Sequence, residues 1–154
     1  MPFQSPERIA ARAQLLTVLE QWCRAAAPQE ACALLIGSRR AGLWRIEHLW
    51  PCCNSWPDPA ERHQRFAIDP REQLLAQRWA RGLGLELLGS AHSHPASAPV
   101  PSASDLALTA PPALMLIWGP LQLDGAPGAV PAAVAWWLED PPAAPRQLEW
   151  TMGA

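Results

Sequence analysis

The sequence predicts an α/β fold of the α+β sandwich type, in which a mixed β-sheet is flanked by helices. Short apolar runs typical of buried strands occur at residues 30–37, 85–92 and 113–118. Between them lie stretches with helical periodicity and helix-start signals, and elements that alternate in this way pack as layers of sheet and helix. The chain has 154 residues, of which 49% are hydrophobic, so we expect a single domain over 1–154 with its own core.

The first half of the chain is expected to form a helix followed by a hairpin. Residues 5–7 (Ser-Pro-Glu) have the features of a helix start, and an apolar stripe continues to about residue 26. Strand 31–37 is then expected to turn through 38–42 and to pair with 43–49. The stripe consists of Ile9, Leu15, Leu16, Val18, Leu19 and Trp22.

The second half is expected to alternate short strands with two helices. Asp69 caps a helix that begins at Pro70 and ends near Arg81, and a second helix begins after Ser102. Three large side chains of the first of these helices are predicted to point inward, namely Leu74, Leu75 and Trp79. Strands are expected at 63–68, 85–92, 113–118, 132–138 and 147–151, and irregular chain at 50–60 and 119–131.

Two histidines at the end of strand 85–92 suggest a metal site. Because His92 and His94 are two residues apart on a strand, they face the same way about 7 Å apart and can reach one ion. A proline ends the strand, and the helix start at Ser102 can bring Asp105 back over the histidines. Three protein ligands and one open position are the pattern of catalytic zinc. Ser102 and Asp105 also fit a capping box, which needs no metal.

A hydrolytic metal site also needs a base, and few carboxylates are available. Glu86 shares a face with His92, but the intervening strand separates them by about 20 Å. Glu30 opens the otherwise apolar strand 30–37. A carboxylate at that position is either a solvated strand end or a functional group, and the residues alone leave both alternatives open.

Together these residues resemble the signature of the JAMM/MPN metalloproteases. Glu30 stands in Pro-Gln-Glu-Ala-Cys-Ala-Leu-Leu-Ile-Gly, and His-x-His-Pro at 92–95 is followed by six residues, Ser102, two residues and Asp105. The resemblance covers most of the chain. It is closest to the compact bacterial branch of this zinc family, also called MPN+ or Mov34/PAD-type, whose members are similar to peptidases of sulfur-carrier proteins. The visible departure is Ala33, where the family often has Gly.

This resemblance implies a cytidine-deaminase-like architecture and a role for each site residue. His92, His94 and Asp105 would hold Zn²⁺, Glu30 would act as general base and then as general acid, and Ser102 would steady the oxyanion. It also implies cleavage of a peptide or isopeptide bond after the Gly-Gly tail of a ubiquitin-like, sulfur-carrier protein.

Composition argues against several other classes of function. A net charge of −2 gives no electrostatic footprint for nucleic acid or an anionic membrane, and no apolar run approaches the length of a membrane span, so we expect a cytoplasmic protein. All 12 basic residues are Arg, which excludes a catalytic or phosphate-binding lysine. The cysteines contain no Cys-x-x-Cys pair, and two of them, Cys23 and Cys32, are expected in the core.

Substrate contacts and one alternative function complete the expectations. The loops 50–61 and 96–101 are predicted to wall the substrate path, with Trp56 as a candidate contact. The alternative is a non-catalytic MPN-type scaffold that binds partners without metal. A RadC-like role near DNA is disfavoured because a basic surface is missing.

Overall fold

The computed structural model describes residues 4–123, 127–140 and 143–152, and over these residues it contains one sheet of seven strands and three α-helices. The helices are α1 (Ala13–Ala26), α2 (Pro70–Gly82) and α3 (Ala103–Leu108), and a 3-10 turn spans Pro59–Glu61. The strands are β1 (Arg8–Ala11), β2 (Cys32–Arg40), β3 (Leu43–Cys52), β4 (Glu86–Ser93), β5 (Ala113–Leu121), β6 (Pro127–Leu138) and β7 (Arg146–Met152).

The sheet is mixed and closes on itself in the order β1-β3-β2-β4-β5-β6-β7. The pairs β1–β3, β1–β7 and β4–β5 are parallel, and the other neighbours are antiparallel. The predicted mixed sheet with helices is therefore present, but it closes into a barrel, whereas the sequence predicted an α+β sandwich. Closure depends on β1, which pairs with both β3 and β7.

Strand β1 replaces the first part of the predicted N-terminal helix, so the predicted helix start at residues 5–7 is wrong. Ile9, Ala10 and Ala11 are all buried, and consecutive burial is typical of a strand covered on both faces. The helix begins only at Ala13, and no side chain caps it. Of the predicted apolar stripe, Leu19 is buried but Val18 and Trp22 are 45% and 36% exposed.

The sheet carries an apolar cluster on each face, because alternate residues of β2 point to opposite sides. On one face, side chains from all seven strands pack with Leu19 and Cys23 of α1. On the other face, Cys32 and its alternate neighbours pack with Ala76 and Ala80 of α2. Burial of Cys23 and Cys32 is as predicted.

Helix α2 begins as predicted but turns a different face to the sheet. The Asp69 carboxylate accepts a hydrogen bond from the backbone N–H of Arg71 at 2.9 Å, as a capping residue should. The predicted inward residues Leu74, Leu75 and Trp79 are 60%, 51% and 43% exposed. The small side chains of Ala76 and Ala80 face the sheet instead, which allows the helix to approach it closely.

Residues 63–68 form no strand, which corrects that prediction. Phe66 and Ile68 do pack against the sheet, but the carbonyl groups of Arg65 and Ala67 accept bonds from Asn54 and Ser55 and from no strand. Strand β3 extends to Cys52, β5 to Leu121, and β6 begins at Pro127, so the irregular stretches are shorter than predicted. Part of the predicted 119–131 loop, residues 124–126, lies outside the described residues.

Over the described residues, no helix combines the length and the apolar character needed to cross a bilayer.

Candidate metal centre

Two histidines and an aspartate meet at the C-terminal end of β4. His94 follows the last residue of β4 and stays extended, because its backbone N–H donates to the carbonyl of Trp118 in β5 at 2.8 Å. Asp105 lies in the first turn of α3, which folds back over this strand end. The Nε2 atoms of His92 and His94 and the Oδ2 atom of Asp105 are each 3.1 Å from one another. All three side chains are buried.

Neighbouring groups fix the orientation of both imidazoles. The Nδ1–H of His94 donates to the carbonyl of Ala98 at 2.8 Å, which leaves the lone pair on Nε2 facing the other two ligand atoms. The ring of Phe66 stacks on His92, with ring centroids 4.4 Å apart and an interplanar angle of 23°. The Nδ1 of His92 is buried and has no partner among the described residues.

Asp105 serves the helix cap and the ligand group at the same time. Its Oδ2 accepts a bond from the backbone N–H of Ser102 at 2.9 Å, and its own backbone N–H donates to Ser102 Oγ at 3.1 Å. This is a complete capping box. The two explanations left open by the sequence therefore do not exclude each other.

The three ligand atoms fit a divalent cation. Atoms that bind one tetrahedral ion at about 2.0–2.2 Å lie about 3.4 Å apart, close to the separation seen here. Of the described residues, only His92, His94 and Asp105 form a group of three or more His, Cys, Asp or Glu side chains that could hold a metal ion. Two buried imidazole nitrogens and a carboxylate suit a transition-metal ion.

The electrostatics of His92 and Asp105 also suit a cation, while burial would lower the pKa of His94 but its contacts with Asp105 and the Ala98 carbonyl outweigh burial and raise that pKa. Burial lowers the pKa of His92, which favours the neutral imidazole. Burial alone would raise the pKa of Asp105, but its contacts with His92 and His94 and the bond from the Ser102 N–H outweigh burial and hold that pKa well below its usual range. Neutral imidazole and ionised carboxylate are the forms in which these side chains bind metal.

Glu30 lies beside this group, one strand away. Cys32 pairs with His92, and the backbone N–H of Ser93 donates to the carbonyl of Ala31, so Glu30 lies one residue beyond the last bond between these strands, within electrostatic range of His94 and Asp105. The side chain is only 4% exposed, and its Oε1 has no hydrogen-bond partner among the described residues. Burial raises the pKa of Glu30 to about 8, and the nearby His94 and Asp105 act on it in opposite directions.

A cavity of about 520 Å³ adjoins the ligand group at Asp105. Its floor is formed by the sheet, with Leu34 and Leu87, and its walls by α3 and by the segment from Arg65 to Ile68. Trp56 of loop 50–61 lines it, and none of the described lining residues belongs to loop 96–101. That these two loops wall the substrate path stays a prediction. The volume is in the range of small-ligand and peptide sites.

Comparison with known proteins assigns the chain to a family. Residues 12–139 match the family described as prokaryotic homologs of the JAB domain. The chain belongs to this family. The resemblance to a compact bacterial JAMM/MPN branch is thereby confirmed.

Relatives of this JAB-family chain include one curated protein and two solved structures. A protein of Haloferax volcanii named desampylase is 32% identical over 95 residues, which cover 62% of this chain and 65% of that protein, so the chain spans less than two thirds of its length. The solution structure of a protein from Desulfitobacterium hafniense has a TM-score of 0.78 and 29% identity, covering 94% of this chain and 92% of that one. The solution structure of a protein from Salinibacter ruber has a TM-score of 0.65 and 27% identity, covering 94% of this chain and 91% of that one.

Sequence reasoning missed three side chains around the candidate site of this JAB domain. Ser93 Oγ accepts a bond from the backbone N–H of Ala31 at 2.8 Å and so ties β4 to the start of β2. Phe66 covers His92, and the Asn54 amide bonds to the carbonyl of Glu30. Only Asn54 carried a signal, since a polar amide between a strand end and a proline-rich loop often bonds to the backbone.

Proposed function

We propose that this chain is a zinc-dependent hydrolase that cleaves an amide bond, peptide or isopeptide, after the Gly-Gly C-terminus of a ubiquitin-like, sulfur-carrier protein. The observation that carries the proposal is the triangle of His92, His94 and Asp105 ligand atoms with the buried Glu30 carboxyl just before the adjoining strand β2. Zinc is chosen because two histidines, one carboxylate and an open position are typical of its catalytic sites.

In this proposal the chain supplies the ligands, the base and an oxyanion donor. A bound zinc ion would lower the pKa of water and polarise the scissile carbonyl. Glu30 takes a proton from the attacking water and passes it to the departing nitrogen, so that this nitrogen leaves as an amine and not as a high-energy amide anion. The hydroxyl of Ser102, whose oxygen already accepts from the Asp105 N–H, keeps its hydrogen free to donate to the developing oxyanion.

Two considerations support a modifier protein as the substrate. The Haloferax relative is named desampylase, and that name denotes the removal of a protein modifier. The cavity beside Asp105 is lined by Phe66 and by residues of α3, and it can take an extended chain. A tail that ends in Gly-Gly has no side chains at its last two residues, so it is slim enough to bring its carbonyl close to a buried ligand group.

The test is to incubate the zinc-loaded protein with candidate β-grasp carrier proteins extended beyond Gly-Gly and to read the products by intact mass. We expect a single cut after the second glycine, suppressed by a chelator and restored by added zinc. A carrier in which Ala-Ala replaces Gly-Gly is the matched control. A protein that binds one equivalent of zinc and cuts none of the carriers would contradict the proposal, and a metal-free protein that forms a stable complex would favour the scaffold.

Ser102→Ala is expected to lower kcat by about 100- to 1000-fold, because one oxyanion donor is lost. Zinc content should stay the same, since all three ligands remain. The helix cap is also weakened, by about 1 kcal/mol, which would appear as a lower Tm. Ser102→Thr keeps the hydroxyl and should recover most of the rate, and Ser104→Ala, at a neighbouring cavity position, is the matched control. Full turnover of Ser102→Ala would remove this role.

A further inference from the structure

The side chain of Asn54 uses both ends of its amide to join the loop after β3 to Glu30. Its Nδ2 donates to the carbonyls of Glu30 at 3.0 Å and Arg65 at 2.9 Å. Its Oδ1 accepts from the backbone N–H groups of Trp56 at 3.1 Å and Ala67 at 3.3 Å. An amide has two N–H donors and two oxygen lone pairs, so its hydrogen-bonding capacity is fully used.

The same loop holds the backbone of Glu30 from both sides. The N–H of Glu30 donates to the carbonyl of Arg62 at 2.7 Å, and its carbonyl accepts from Asn54. Residue 30 precedes the first residue of β2, so it lies beyond the strand proper. The direction of the Glu30 side chain therefore depends on contacts with this loop.

The far end of the loop reaches the metal ligands and the cavity. Phe66, next to the Arg65 carbonyl that Asn54 binds, stacks on His92. Arg65 lies over the ring of Trp56, with its guanidinium carbon 5.3 Å from the ring centroid, and both residues line the cavity. One amide thus connects Glu30, the ring that covers a ligand, and the cavity wall.

We propose that Asn54 is a positioning residue for the reaction, which holds the Glu30 carboxyl in register with the metal ligands and the substrate cavity. This inference rests on the proposed hydrolase function. Reacting groups have to be held within about 0.5 Å of their productive places. A misplacement of about 1 Å can cost about 100-fold in rate. If the hydrogen bonds of the Asn54 amide are lost, the loop shifts, and the Glu30 backbone that is bonded to the loop shifts with it.

A purely structural role is the competing explanation. Asn commonly bonds to the backbone N–H two residues on, as Asn54 does with Trp56, and such a turn stabilises a loop without any part in chemistry. The two roles predict different measurements. A loop stabiliser affects Tm, whereas a positioning residue affects kcat in protein that is folded and fully zinc-loaded.

The decisive variant is Asn54→Asp, which keeps the shape of the side chain and its acceptor oxygen but removes both donors. A carboxylate then faces the carbonyls of Glu30 and Arg65. We expect kcat to fall by about 100-fold, with zinc stoichiometry unchanged and KM changed far less than kcat. If Asn54→Asp does not fold, as judged by tryptophan fluorescence, Asn54→Ala takes its place because it introduces no charge.

Ser55→Ala is the matched control in the same loop. The Ser55 hydroxyl donates to the carbonyl of Ala67 at 3.0 Å, and it has no bond to Glu30. The Ser55→Ala substitution should lower Tm without a comparable loss of kcat, when this variant and Asn54→Asp are both assayed well below their thermal unfolding midpoints. The inference is overturned if folded, zinc-loaded Asn54→Asp keeps kcat within threefold of the wild type, or if Ser55→Ala loses as much. A zinc-loaded wild type that cleaves no carrier overturns the proposed function, and this inference with it.

Discussion

Glu30→Gln is expected to lower turnover by about 100- to 10,000-fold while leaving zinc binding intact. The substitution keeps the size of the side chain and removes only its ability to accept and return a proton, and general acid–base catalysis typically contributes rates of this order. Single-turnover cleavage of a Gly-Gly carrier fusion, together with metal analysis of the same sample, measures both quantities.

The control for this change is Glu86→Gln. Glu86 is an exposed carboxylate of β4 that pairs with Arg39, far from the ligands along the strand. It should retain wild-type turnover. Activity of Glu30→Gln close to that of the wild type would remove Glu30 from the mechanism and leave the metal group without a base.

The same variant has an expected signature in stability. Burial raises the pKa of Glu30 to about 8 in the folded, metal-free protein. The folded state therefore binds a proton more tightly than the unfolded state does, and the free energy of unfolding falls as pH rises from about 4.5 to about 8. In metal-free Glu30→Gln this fall should be reduced, which denaturant titrations at several pH values would measure. An unchanged pH dependence would show that Glu30 is not buried in this way.

Asp105→Asn is expected to weaken zinc binding by more than 100-fold and to abolish turnover. Loss of a group that only hydrogen-bonds to a metal ligand costs about 10- to 100-fold in metal affinity, and this substitution removes the proposed anionic ligand itself. The charge that balances the ion disappears with it, while the amide retains the size of the side chain. Zinc retained after dialysis against a competing chelator is the measurement.

Asp69→Asn provides the matched control, because it changes a capping aspartate of a helix that carries no ligand. Both variants perturb a helix start, so both should lose some thermal stability, but Asp69→Asn should keep one equivalent of zinc. Stoichiometric zinc of undiminished affinity in Asp105→Asn would show that the carboxylate is no ligand.

Local signals in the sequence were sufficient to predict the elements that bear the ligand group. The spacing of His92 and His94 follows the period of a strand, and Ser102 with Asp105 follows the geometry of a helix cap. Each of these rules concerns residues close together in the chain. The structure brings the three side chains within 3.1 Å, while their role as metal ligands stays a prediction.

Features that depend on distant partners could not be predicted in this way. Residues 8–11 are too few to show a strand period, and their burial follows from pairing with β3 and β7. Leu74 and Leu75 fit an apolar stripe, but α2 packs on the sheet through the small side chains of Ala76 and Ala80 and leaves both leucines exposed. The contacts of Asn54 reach Glu30 and Arg65, and no sequence rule joins those positions.

The pairing of β1 with two neighbours has a consequence for how the protein can be handled. An unpaired strand exposes a row of N–H and carbonyl groups, which can recruit strands from other molecules into aggregates. Four residues, Arg8 to Ala11, cover such rows on β3 and β7 at once. Trimming the chain to begin at Arg12 would uncover both rows together, so a shortened form would be prone to precipitation even though every side chain of the site is retained.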